Sequence, residues 1–204
     1  MTGALLDAGV YAVGWFLLVR RRPEGRPPRL AAWGVGLVAL VAAGWVAQLL
    51  RPSLLGQGMR DPAAIRAGQW WRLATSLVRQ DGGWTAVAVD LVALAVTVGL
   101  AGEVLAPRTG LLVAVLGGVA ANLVTVLTFR QSGAGSSMVT MVLLVVAVLA
   151  TLRDPSWHEA GLVVVLVALT VVLLARRDPH GVALAVGLVV GTWRSARRGR
   201  RIAA

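Results

Sequence analysis

The chain contains no cysteine. That excludes disulfides, zinc–thiolate sites and a cysteine nucleophile together. It contains no lysine either, so all twenty basic side chains are arginine. Only two histidines are present, His158 and His180. Without cysteine beside them they make a poor metal-ligand set, and they are the only candidates for imidazole chemistry. No cofactor or metal is expected. Charge is scarce as well: 14% of residues are charged, against about a quarter in a soluble domain.

What fills the chain instead is apolar. Hydrophobic residues make up 57%, and mean hydropathy is +0.77. Several runs reach the ~17–25 residues that span a bilayer as a helix. A chain crossing lipid must satisfy its own backbone hydrogen bonds, so these runs predict a polytopic, all-α membrane protein. Seven segments emerge: 4–19, 30–50, 84–103, 109–129, 137–152, 160–175 and 180–194. The first is short and carries Asp7. A net charge of +11 would suit a nucleic-acid binder. The arginines, however, lie between the apolar runs and in the C-terminal tail, where a membrane protein places them. The expected partner is therefore the lipid bilayer, with no nucleic acid.

The cluster "RRRPEGRPPR" follows the first segment instead of preceding it. This order differs from that of a signal peptide and predicts an outer N-terminus with the cluster inside. Alternation then puts 51–83, 130–136 and 176–179 outside, and 104–108, 153–159 and the tail inside. The protein is expected in the cell membrane, multi-pass, with a cytoplasmic C-terminus. The interval 51–83 keeps five arginines on the outer side. Its stretch "IRAGQWWRLATSLV" suits either a segment lying in the interface or an aromatic belt at a helix end.

This topology gives "QSGAGSSMVTMVLL" (131–144) a partner. The segments beginning at Ser137 and His180 both start outside and run inward, so the two side chains share a depth. Serine beside imidazole is the minimum for nucleophilic catalysis. In "HGVALAVGLVVG", Ala183, Gly187 and Gly191 share one helical face with His180, which lets a neighbouring backbone approach closely. Gly133 and Gly135 permit a bend, and the amides after it could receive developing negative charge. The plainer alternative makes Ser136 and Ser137 a helix cap and a polar first turn.

Four motifs in order resemble the rhomboid intramembrane serine proteases. They are "GQWWRLATSL", then "GGWTAVAVD" running into "LVALAVTVGLAGEVL", then Gly135–Ser137 as Gly-x-Ser, and "HGVALAVGLVVG". The resemblance covers 30–194 as a six-helix core. Residues 1–29 would add an N-terminal transmembrane helix with a basic linker, and 195–204 a basic tail. It implies Ser137 as nucleophile, His180 as general base, Gly135 and Asp90 around the oxyanion, and transmembrane protein substrates. Ser136 is the alternative nucleophile if the helix register shifts by one.

The chain departs from the family at Met138, usually glycine, and Met141, usually aromatic. Ala86 and Asp90 stand where the family carries His-x-x-x-Asn. Asp90 could be a protonated donor, a third member accepting from His180, or the partner of an arginine from 51–83. The competing reading is a non-catalytic rhomboid-like protein that holds transmembrane clients. A transporter would need further midplane ionisable residues or inverted repeats, and neither is visible.

Overall fold

The computed structural model describes residues 2–22, 31–152 and 154–202. The basic linker from 23 to 30 and the last two tail residues lie outside these. Helix α1 covers Thr2–Arg20 and α2 Ala32–Leu50. Three short helices follow: α3 Ser53–Gly58, α4 Pro62–Arg66 and α5 Arg72–Thr75. Helix α6 is Gly83–Val104. Helices α7 (Pro107–Leu112) and α8 (Gly118–Thr128) are joined by a π turn, Val113–Gly117. Helices α9 Ser137–Thr151, α10 Trp157–Ala175 and α11 Pro179–Ile202 complete the chain. The protein is all-helical among the described residues, its only β feature being an isolated bridge between Arg60 and Gly133.

Five stretches are long and apolar enough to cross a bilayer: Gly3–Arg20, Ala32–Leu50, Gly83–Val104, Pro107–Thr128 and Trp157–Ala175. An all-α polytopic membrane protein is the architecture these support. Two of the seven expected segments, 137–152 and 180–194, are not among the five. The first became α9, which has only fifteen residues. The second became the start of α11, which continues as helix into the arginine-rich tail. The helix therefore runs through the boundary expected at 195.

The short length of α9 follows from where it sits. Every residue from Met138 to Val148 is buried, so α9 is the centre of the bundle and not a lipid-facing wall. Fifteen residues rise about 22 Å, less than the ~30 Å of a hydrocarbon core. The chain before it, 131–136, therefore enters the bundle as non-helical backbone. Such backbone is stable at depth only when protein satisfies its polar groups. Here it is: Gly133 exchanges two backbone hydrogen bonds with Arg60 (2.9 and 3.0 Å), Ala134 N–H donates to Asp81 (2.8 Å), and Gly135 N–H donates to the Ser76 carbonyl (3.0 Å).

The interval 51–83 that supplies these partners is itself pinned. The buried Arg60 guanidinium donates to the Gln131 carbonyl (3.1 Å) and to Asn122 Oδ1. The Asn122 amide in turn donates to the Leu73 carbonyl (2.8 Å) and Ser76 Oγ (2.9 Å). Burial draws the Arg60 guanidinium down from its ordinary pKa, and the charge of Asp81 acts against that. Removing one partner of such a network strands the others without water. Asn122→Ala is expected to cost about 2–4 kcal/mol, read as a lower thermal midpoint in detergent; an unchanged midpoint would show the network to be dispensable.

Candidate active site

Helices α9 and α11 start at the same end of the bundle and run parallel. The stripe on α11 makes this possible. A Cβ on Gly187 would lie 2.8 Å from Val145 Cβ, and one on Gly191 would lie 2.6 Å from Leu149 Cδ1. The register that brings 187 to 145 and 191 to 149 brings His180 to Ser137. His180 Nε2 lies 3.0 Å from Ser137 Oγ. With the ring proton on Nδ1, the serine hydroxyl donates to Nε2, as general-base activation needs.

Ser136 faces elsewhere. It is fully buried, and its Oγ accepts from Gln80 Nε2 (3.1 Å). One residue turns a side chain by about 100° on a helix, so only one of the two serines meets the ring. Neither works as a cap: Ser136 occupies the cap position of α9 but makes no capping hydrogen bond. The first amides of α9 are thus left without a side-chain acceptor at the site. Ser136→Ala is expected to keep the reactivity of Ser137 while losing about 1–3 kcal/mol through the stranded Gln80 amide; loss of Ser137 reactivity in a folded variant would give Ser136 a direct part.

A cavity of about 1080 Å³ opens over the pair. Its walls include Asp7, Tyr11 and Trp15 of α1, Ala86 and Asp90 of α6, Gln80 and Asp81 before α6, and Gly135, Ser137 and His180. The volume is slightly above the ~300–1,000 Å³ typical of ligand sites. Gly135 is closely framed there. The point where its side chain would begin is 3.3 Å from both Asp90 Oδ2 and Ser137 Oγ.

Asp90 lies on the serine side of the pair. No hydrogen bond joins it to His180 or to an arginine of the 51–83 interval. It sits beside Gly135 and the serine, whereas the other ring nitrogen of His180 is met by different carboxylates. Nδ1 is 2.9 Å from Asp178 Oδ1 and 3.4 Å from Asp7 Oδ2. Nδ1 makes no well-formed hydrogen bond with either in this geometry. Asp178 Oδ1 also accepts the His180 backbone N–H (3.0 Å), the arrangement of a capping aspartate ahead of a first-turn proline. Burial by itself would raise the Asp178 carboxyl. Its contacts with the His180 ring and backbone outweigh this and hold its pKa below the ordinary value.

Sequence reading missed Asp178, Gln80 and the approach of Asp7 to the His180 ring. Asp178 had a usable signal in "RRDPHG", an aspartate then a proline opening a helix. Gln80 had none, because its place depends on Gln48 of α2, which clasps its backbone N–H (3.2 Å) and C=O (2.7 Å). No protein-family model and no curated protein matches the chain.

Proposed function

We propose that this protein is an intramembrane serine protease of rhomboid type that cleaves transmembrane segments of other membrane proteins. The observation that carries the reading is the 3.0 Å contact between Ser137 Oγ and His180 Nε2 at the floor of a large cavity. In the reaction, Ser137 Oγ attacks the scissile carbonyl as its proton passes to Nε2. The first amides of α9 receive the oxyanion. Collapse expels the amine, which takes the proton from Nε2, and water then hydrolyses the acyl-serine by the same relay in reverse. The chemistry uses no cofactor.

A second reading, a non-catalytic client-binding protein of the same shape, draws on α6. Ala86 offers no hydrogen-bond donor to the cavity it lines, and an ionised Asp90 would repel an oxyanion. The test is proteoliposomes holding the protein and a single-span model substrate. Two fragments of defined mass support the protease; an intact substrate retained on the protein supports the client binder. Asp90→Asn separates the readings further. Replacing a like charge near the oxyanion by a neutral amide is expected to raise turnover about tenfold; turnover that falls instead would make the Asp90 carboxyl itself useful to the reaction.

A further inference from the structure

Helix α1 lies outside the six-helix core that the resemblance covers, yet it supplies a wall of the cavity. Its position is tightly set. Arg21 donates twice to Glu159 at the start of α10 (2.7 and 2.6 Å), and Arg22 to Glu103 near the end of α6 (2.9 Å). Trp15 Nε1 donates to Thr97 Oγ1 of α6 (2.9 Å). At Gly14 the helix presses on the centre of the bundle, since a Cβ there would be 2.7 Å from Leu144 Cδ2. An ionisable residue on such an apolar helix is expensive unless it has a partner or a task. Asp7 has a buried oxygen, Oδ1, with no hydrogen-bond partner, and its Oδ2 is 3.4 Å from His180 Nδ1. The ring nitrogen it faces is equally without an aligned partner.

We propose that Asp7 is a positioning residue for His180, so that the N-terminal helix is part of the catalytic apparatus. The proposal rests on the serine-protease reading for its kinetic consequence but not for its geometry. Four groups surround the ring: Ser137 on α9 at Nε2, Asp7 on α1 and Asp178 on the ring's own helix start at Nδ1, and Asp90 on α6 nearby. Asp178 is nearer to Nδ1 (2.9 Å), but the same Oδ1 accepts the His180 backbone N–H and its contact with the ring is not an aligned hydrogen bond. Asp7 approaches from another helix, so a small rotation of the ring brings Nδ1–H onto its carboxylate. That contact fixes the ring proton on Nδ1 and leaves Nε2 free to accept from Ser137. Apo contacts of this kind are commonly long and shorten when the imidazolium forms.

The test uses the full chain with histidine labelled by nitrogen-15, in detergent, as wild type, Asp7→Asn and Asp7→Glu. With two histidines in the chain the ring spectrum is simple. At alkaline pH, where the ring is neutral, wild-type His180 should hold its proton on Nδ1, and Asp7→Asn should move it toward Nε2. The rate at which a fluorophosphonate labels Ser137 should fall about tenfold or more in Asp7→Asn, with recovery in Asp7→Glu. A purely structural role would leave tautomer and labelling rate untouched in a folded variant, and that result overturns the proposal. If Asp7→Asn does not fold, Asp7→Glu decides it: moving the carboxylate should shift the Nδ1–H resonance of His180, and an unchanged resonance overturns the proposal. A wild type that never labels, but whose tautomer depends on Asp7, keeps the positioning role and removes the protease reading instead.

Discussion

Ser137→Ala and His180→Ala should each abolish covalent labelling by a fluorophosphonate, and the loss should be as complete in either one alone as in both together. The reason is that the two groups form one device. Without the imidazole, the hydroxyl keeps its proton and attacks poorly; without the hydroxyl, the imidazole has nothing to activate. Removing one member of such a unit costs on the order of 10⁴–10⁶ in rate, and removing the second adds little. The structure supplies the specific comparison. Ser136 is adjacent in sequence, but its Oγ is buried and bonded to Gln80, so it cannot take over in Ser137→Ala. His158 is equally unable to substitute, because it opens α10 next to Glu159, which Arg21 holds at the far end of α1 from Asp7. Labelling that persists in Ser137→Ala, mapped to another residue, would move the nucleophile. Labelling that persists in His180→Ala would remove the imidazole from activation.

How much of this was legible in the sequence depends on the range of the interaction. Apolar run length placed six of the seven segments to within about three residues, and the last helix ran on past 194 to Ile202, because helix formation in lipid is dictated locally by the backbone. Counting crossings put Ser137 and His180 at one depth, and the small-residue stripe after His180 put them on facing surfaces. What remained hidden depends on side chains far apart in the chain. Asp7 reaches His180 across more than 170 positions, and no local pattern announces that α1 should dock between α6, α9 and α10. The place of Asp90 failed to resolve for the same reason. The cost of an ionisable residue at this depth says that it faces a cavity or a partner, but not whether it meets the serine or the far side of the ring. The Arg60–Asn122 network is a third case, since it joins two loops and a helix to hold non-helical backbone at depth. Counting 137–152 among the bilayer-spanning runs also overlooked a local clue. An apolar helix of fifteen residues is too short to span unless the bundle itself replaces lipid around its ends.

The same dependence on facing helices makes Gly187 the most sensitive position away from the chemistry. Its absent side chain leaves room for Val145 Cβ at 2.8 Å and the Val142 carbonyl at 3.2 Å. Gly187→Leu must therefore push α11 away from α9, because a backbone carbonyl cannot rotate aside as a side chain can. Overpacking of this kind costs about 1–3 kcal/mol, and more where backbone is involved. The functional cost should be larger than the loss of stability suggests. Ser137 and His180 sit on the two helices being separated, and their 3.0 Å contact has little tolerance. A displacement of about 1 Å between reacting groups costs on the order of 10² in rate. Gly187→Leu is thus expected to lose fluorophosphonate labelling by about a hundredfold or more while remaining helical and membrane-inserted. Gly36→Leu on α2 is the matched control, since nothing lies within 4 Å of the new Cβ. Trimming the opposing residue in Gly187→Leu/Val145→Ala should restore part of both stability and labelling. If Gly187→Leu labels at the wild-type rate, then the α9–α11 spacing does not govern the serine–histidine contact, and the parallel small-residue interface loses its functional meaning.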